Sequence, residues 1–193
     1  MLRNTTVLVL VLMVCKFSNA AGFGFKMGEA PESYSCDAIA ASPGYYECAA
    51  PKPHSAFESY IISASKEHGI CWVKGIGKNI SDNGYGTHTK SAHENLETLL
   101  SKAYGSVSKM SDFILPNSLW DDSNEWLMSI AQKERVYTSI WNDLEVTSKP
   151  DLKSIYLASN ATGGKTGYIV LEYYAKYQSD CKRANAESES NAL

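Results

Sequence analysis

Three acidic residues lie close together beside two tryptophans. Asp121, Asp122 and Glu125 fall between Trp120 and Trp126. Paired carboxylates next to aromatic side chains are used by enzymes that hydrolyse glycosidic bonds. Acidic residues are also common in the first turn of a helix, where they meet the positive end of the helix dipole. The three acids are therefore weak catalytic candidates, and a helix start is the simpler interpretation.

The histidines and the glycine-rich stretch 159–166 lack the spacing of a metal or phosphate site. His88 and His93 are five residues apart and diverge by about 140° around a helix, whereas a zinc pair needs a spacing of four. Ser159 stands where a phosphate-binding loop has its first glycine, and a β-rich run follows instead of a helix. We predict a hairpin turn there, and we assign no catalytic residue, no metal and no cofactor.

Tyrosine is unusually frequent, with 12 in the chain. Tyr156, Tyr168 and Tyr174 fall in two β-rich runs near the C-terminus. Because side chains alternate along a strand, Tyr168 and Tyr174 share one face and Tyr173 points to the other. Tyrosine is enriched at binding surfaces, and it also makes good cross-strand pairs within sheets. Structural packing is the favoured interpretation of the tyrosines, and Tyr156, Tyr168 and Tyr174 are the candidate binding surface under the alternative one.

The first 20 residues have the layout of a secretory signal peptide. Arg3 supplies the positive charge, an apolar run of nine residues covers 7–15, and small residues precede a cleavage site after Ala20. Nine apolar residues are too few to span a bilayer, which takes about 20. We expect an exported, periplasmic or secreted protein without a transmembrane segment. Removal of 1–20 leaves 173 residues and changes the formal net charge from −3 to −5.

The chain has five cysteines, and four remain when the signal peptide, which contains Cys15, is removed. An even number of cysteines in an exported chain indicates two disulfides, and four cysteines allow three connectivities. We favour Cys36–Cys48, around a Pro-Gly turn, and Cys71–Cys181, which ties the C-terminal segment to a central strand. A metal or redox site is less favoured because the chain has no C-x-x-C pair.

The β-rich segments come in hairpins, and helical patterns are scattered among them. A parallel sheet would need strict strand–helix alternation, which is absent. We predict an α+β fold with a largely antiparallel sheet built from hairpins, and two or three helices packed on one face. The predicted strands are 22–27, 57–65, 70–80, 109–115, 135–142, 152–158 and 168–175, and the helical segments are 92–103, 122–131 and 177–187. The segment 29–50 is otherwise unassigned, with a short strand at 45–48 as one interpretation.

Composition and length define the broad class of protein. With 44% hydrophobic and 20% charged residues, the chain has the composition of a globular protein rather than a disordered one. Its acidic balance argues against nucleic acid as a partner, because phosphate binding needs a basic surface. We expect the signal peptide to be followed by one domain over 21–187 and a flexible tail over 188–193.

Seven stretches, spread over most of the chain after the leader, carry a resemblance to known proteins. They are 22–28 (GFGFKMG), 68–78 (HGICWVKGIGK), 85–87 (YGT), 118–121 (SLWD), 133–135 (KER), 152–155 (LKSI) and 167–169 (GYI). Together they resemble a family of exported bacterial proteins of unknown function. The resemblance implies export, and it implies no activity or catalytic residue. The resembling proteins usually have a regular helix after the opening strand, whereas Pro31 interrupts the corresponding segment here.

The expected function follows from good fold signals, an export signal and no convincing catalytic constellation. We expect a non-enzymatic, envelope-associated or protein-binding module whose partner is an envelope or extracellular protein. One alternative is a periplasmic hydrolase, with glycans as the candidate substrate, that uses Asp121, Asp122 or Glu125. Another is a secreted enzyme inhibitor, which differs from the first hypothesis only in its partner.

Overall fold

A computed structural model describes residues 21–144, 149 and 151–190. Within these residues nine strands form one antiparallel sheet in the order β1-β2-β3-β4-β9-β8-β7-β6, with β5 beside β9. The predicted signal peptide lies outside the described residues. The strands are β1 Cys36–Ala38, β2 Tyr45–Cys48, β3 Phe57–Ser65, β4 Gly69–Gly77, β5 Ile80–Ser81, β6 Lys109–Ile114, β7 Arg135–Trp141, β8 Leu152–Gly163 and β9 Thr166–Ala175, and the helices are α1 Thr87–Tyr104, α2 Trp126–Ala131 and α3 Gln178–Ser190.

The sheet consists of two runs of hairpins that meet where β4 pairs with β9. This arrangement confirms the predicted α+β fold with an antiparallel sheet. Helices α1 and α2 pack on the same face, because His93 of α1 and Trp126 of α2 both contact Tyr137 of β7, with ring centroids 4.7 and 5.5 Å apart. We call this the helix-bearing face and the opposite side the outer face.

The core lies between the sheet and α1. Strand residues that point to the helix-bearing face are buried, as Ile62, Val73 and Leu157 illustrate with no exposed surface. Alternation along the strands leaves the outer face to the intervening residues. A second, smaller apolar cluster surrounds Trp126 and Leu127 of α2.

Helix α1 begins with help from a residue outside it. The N-cap position is Gly86, which has no side chain, so the carboxylate of Asp82 accepts hydrogen bonds instead. It bonds to the backbone N–H groups of Asn83, His88 and Thr89 and to the Thr89 hydroxyl. Partial burial raises the pKa of Asp82, but these hydrogen bonds outweigh it and hold the pKa below its ordinary value. The helix start is thus fixed by the loop that precedes it.

The two disulfides have the favoured connectivity. Cys36 and Cys48 are opposite each other in the β1–β2 pair, so their bond crosses a hairpin. Cys71 of β4 is bonded to Cys181 and holds α3 to the end of the sheet. Disulfides persist in oxidising compartments, so this pair of bonds fits an extracellular or periplasmic protein. Among the helices of the described residues, none has the length and apolar character needed to cross a bilayer.

Four local predictions differ from the structure. The predicted strand at 22–27 is a 3-10 turn followed by a single bridge residue, because Phe23 and Gly24 have positive φ angles that a strand does not tolerate. The unassigned segment 29–50 contains β1, in addition to β2 at the place where a short strand was one interpretation. The predicted long turn between β8 and β9 is reduced to residues 164–165, since both strands pair further. Helix α3 runs to Ser190, so the start of the predicted tail is helical.

Candidate binding face

Pairing across three strands, β4, β9 and β8, brings aromatic and charged residues together on the outer face. Trp72 of β4 lies opposite Tyr174 of β9. In the next outward-facing row, Glu172 of β9 lies between Lys74 of β4 and Tyr156 of β8. Residues that face each other in a sheet point to the same side, so all five side chains share one surface. We call these five residues the outer-face cluster.

Glu172 is the centre of the outer-face cluster. Its carboxylate accepts a hydrogen bond from Trp72 Nε1 at 3.1 Å and another from the Tyr174 hydroxyl. Lys74 Nζ lies 3.2 Å from the other carboxylate oxygen and 5.8 Å from the centre of the Trp72 ring. The carboxylate therefore fixes the orientation of two aromatic rings and one ammonium group before any partner arrives.

The tyrosines of the cluster remain protonated hydrogen-bond donors at neutral pH. Burial, and then the hydrogen bond to Glu172, raise the pKa of Tyr174 above its usual range. Burial also raises the pKa of Tyr156, and the negative charge of Glu172 adds to the effect. Both rings are half-buried, so they present an apolar edge together with a polar tip.

Two hollows lie beside the outer-face cluster. One, of about 230 Å³, is lined by Tyr168, Lys74 and Val170 among others. The other, of about 180 Å³, lies at the opposite end between Tyr174 and Lys176. Tyr168 and Tyr174 are six residues apart on one strand, which corresponds to about 20 Å. The three predicted tyrosines thus share one face, but Tyr168 is separate from the cluster formed around Glu172.

The acidic candidates lie at the start of a helix. Asp121 and Asp122 are exposed, and Glu125 is half-buried in the 3-10 turn that leads into α2. The backbone N–H of Glu125 donates to the carbonyl oxygen of Asp122 at 2.9 Å. This is the geometry of the simpler interpretation, in which the acids meet the positive end of the helix dipole.

A buried polar network links α1 to the sheet. His93 has no exposed surface, and its Nδ1 and Nε2 atoms lie 3.1 and 2.9 Å from the hydroxyls of Ser159 and Ser139. Ser139 donates in turn to Glu97. Because the Ser139 hydroxyl gives its proton to Glu97, it accepts a hydrogen bond from the ring. The neutral ring of His93 therefore carries its proton on Nε2, which donates to Ser139, and Nδ1 accepts from Ser159. Sequence analysis did not identify this network.

The His93 network is not a serine-hydrolase triad. In a triad the carboxylate bonds to the ring nitrogen that faces away from the nucleophilic serine. Here the carboxylate of Glu97 bonds to Ser139 itself and lies 3.9 Å from the same ring nitrogen, Nε2. His93 and Ser139 are also fully buried, so a substrate does not reach them. The arrangement joins α1 to the sheet through hydrogen bonds.

Comparisons with protein-family models, with curated proteins and with solved structures gave no match. The resemblance to exported bacterial proteins therefore stays a prediction. The description of the site rests on the geometry of this chain alone.

Proposed function

We propose that the protein is an exported, non-enzymatic module that binds another envelope or extracellular protein through its outer face. The observation that carries this proposal is the outer-face cluster, in which two tyrosines and a tryptophan surround one carboxylate. Tyrosine and tryptophan are enriched at protein interfaces and among the residues that dominate binding energy.

The internal hydrogen bonds of the cluster favour binding for an energetic reason. Immobilising a flexible side chain at an interface costs about 0.5–1.5 kcal/mol. Trp72 and Tyr174 are already held by Glu172, so a partner orders fewer side chains when it docks. The two adjoining hollows make the outer face concave at both ends of the cluster, where side chains of a partner fit.

The alternative of a hydrolase has less geometric support. A glycosidase holds its two carboxyl groups on opposite sides of the scissile bond. Asp121 and Asp122 are instead adjacent, exposed residues before a helix. The inhibitor alternative uses the same surface as the proposal, and the nature of the captured partner separates the two.

The test replaces the aromatic residues at both ends of the outer face. The unmodified, processed protein is first used to capture a partner from the exported proteins of its source. We expect a Tyr168→Ala/Tyr174→Ala double variant to fail to capture that partner. Tyr85→Ala is the matched control, because Tyr85 is 54% exposed and lies in the loop before α1. Circular dichroism melts of all three proteins measure whether the fold is retained.

The result separates the surface from the fold. Loss of capture with a nearly unchanged melt in the double variant, and retention in Tyr85→Ala, supports the outer face as the contact surface. Undiminished capture by the folded double variant excludes that face. For the hydrolase alternative, Asp122→Asn and Glu125→Gln variants are compared with the unmodified protein for release of sugars from cell-envelope glycans.

A further inference from the structure

A second concave site lies on the helix-bearing face, away from the outer-face cluster. It is a cavity of about 320 Å³ between α1, the N-terminal segment 21–24 and the start of β3. Ligand-binding pockets commonly begin at about 300 Å³. At the roughly 30 Å³ that a water molecule occupies in the liquid, this cavity has room for about ten non-hydrogen atoms.

The walls of the cavity are apolar and rigid. Phe23 packs edge to face against Phe57 and Tyr173, with ring centroids 4.9 and 5.8 Å apart. Leu100 and Leu171 complete the buried part of the wall. Gly22 also lines the cavity, and a Cβ there would lie 2.0 Å from the Tyr173 ring, so backbone and ring are in direct contact. Such walls favour an apolar ligand body.

The described lining of the cavity contains one ammonium group and one imidazole ring. Lys52 and His54 stand exposed on one side of the cavity, and none of the described residues that line it is acidic. His54 Nδ1 accepts a hydrogen bond from the backbone N–H of Ala56 at 3.2 Å. The neutral ring therefore carries its proton on Nε2, where it is available to donate. The opening of the cavity thus offers an ammonium group and an imidazole N–H to an anion.

We propose that this cavity binds a small monocarboxylate of about ten non-hydrogen atoms in total, with an apolar chain and with its carboxylate at Lys52 and His54. The apolar body lies against Phe23, Tyr173 and Leu100, and the exposed side chain of Leu99 forms the rim. The site is on the opposite face from the proposed protein-binding surface and does not depend on it.

Three eight-carbon probes test the chemistry by isothermal titration calorimetry with the processed protein. We expect octanoate to bind with a stoichiometry of one, and octylamine to bind at least about tenfold more weakly because its charge is repelled. Shortening the acid by one CH₂ weakens binding about fourfold, which corresponds to about 0.8 kcal/mol per CH₂. Octanol, which has no charge, measures the contribution of the apolar walls alone.

Surface variants locate the site without disturbing the core. Leu99 is 53% exposed, so Leu99→Glu adds a negative charge at the rim with little loss of packing. Its matched control is Leu119→Glu, at a leucine that is 82% exposed and outside the lining. We expect Leu99→Glu to weaken octanoate binding at least about tenfold, and Leu119→Glu to have no effect.

A second pair of variants tests the carboxylate end. Lys52→Glu should weaken octanoate binding and leave octanol binding unchanged, whereas Lys78→Glu, also at an exposed lysine, should change neither. The proposal is overturned if octanoate shows no saturable binding up to about 1 mM. It is also overturned if octylamine binds as well as octanoate, or if Leu99→Glu and Lys52→Glu bind octanoate as well as their controls do.

Discussion

Acidification should destabilise the protein through one buried histidine. His93 is fully buried, and burial lowers its pKa from the ordinary 6.5 to about 4. The unfolded chain therefore binds this proton more tightly than the folded protein does. The sign follows directly: the free energy of unfolding is insensitive to His93 above about pH 6.5 and falls as the pH drops from 6.5 toward 4.

The size of the effect follows from the two pKa values. With 6.5 in the unfolded chain and about 4 in the folded protein, His93 lowers the free energy of unfolding by about 2.5 kcal/mol between pH 7 and pH 4.5. This is an upper bound, because the Glu97 carboxylate lies 3.9 Å from Nε2 and favours the protonated ring. The remaining contacts of the ring, Ser139, Ser159 and Tyr137, are uncharged at these pH values.

The assay is urea denaturation at pH 7 and pH 4.5 of the unmodified protein and of His93→Gln. Glutamine does not titrate, so we expect the variant to lose less stability than the unmodified protein over this interval, by up to about 2.5 kcal/mol. The variant starts from a lower stability at pH 7 because it loses part of the hydrogen-bond network. Only the change with pH is therefore compared.

His88→Gln is the matched control. His88 lies five residues earlier in α1, and its side chain is 66% exposed. We expect this variant to keep the acid sensitivity of the unmodified protein. Equal losses of stability on acidification in the unmodified protein and in His93→Gln would refute the reasoning, because the titrating group would then lie elsewhere.

Two further predictions concern the backbone and the covalent links. Gly86 has a φ of +68°, and an added Cβ would lie 2.1 Å from the Trp126 ring. Gly86→Ala should therefore lower the thermal midpoint more than Gly105→Ala, where φ is also positive but nothing lies within 4 Å. Removing the Cys71–Cys181 bond, which closes 110 residues, should cost about 5 kcal/mol against about 3 for the bond within β1–β2, which closes 12. Urea titration of the two double-alanine variants measures this difference, and equal losses would contradict the loop-entropy argument.

Much of the fold was accessible from local patterns. The hairpin of β3 and β4 was predicted from two β-rich runs separated by a few turn residues, and the structure pairs them. The favoured cysteine pairing was also confirmed. These features are local or chemically specific, because a turn sequence or a cysteine restricts its own surroundings regardless of what packs against them.

Helix α1 shows where local patterns become insufficient. The apolar spacing over 92–103 predicted a helix, and Leu96 and Leu100 are buried as that spacing implies. However, Leu99 is 53% exposed, and the buried stripe includes Thr89 and His93 instead. Polar residues enter that stripe because groups outside the helix satisfy them: the sheet supplies serine hydroxyls to His93, and the preceding loop supplies the Asp82 carboxylate to Thr89. The sequence of the helix carries no sign of these partners.

The outer-face cluster depends on pairing between distant segments. Trp72 and Glu172 are 100 residues apart in sequence, yet their side chains are joined by a hydrogen bond. Alternation correctly put Tyr168 and Tyr174 on one face of β9, opposite to Tyr173. It contained no information on which strand would lie beside β9, so it did not reveal the carboxylate that orients the aromatic rings.

The sequence by itself determined most of the strands and helices, the number of disulfides and the tyrosine content of one strand, because periodicity, turn residues and cysteine number act over short distances or through specific bonds. Tertiary structure alone decided which side chains meet. The order of strands brought Glu172 between Lys74 and Tyr156, and the docking of α1 buried His93 against two serines. These arrangements depend on register and packing between segments far apart in the chain, which no local pattern specifies.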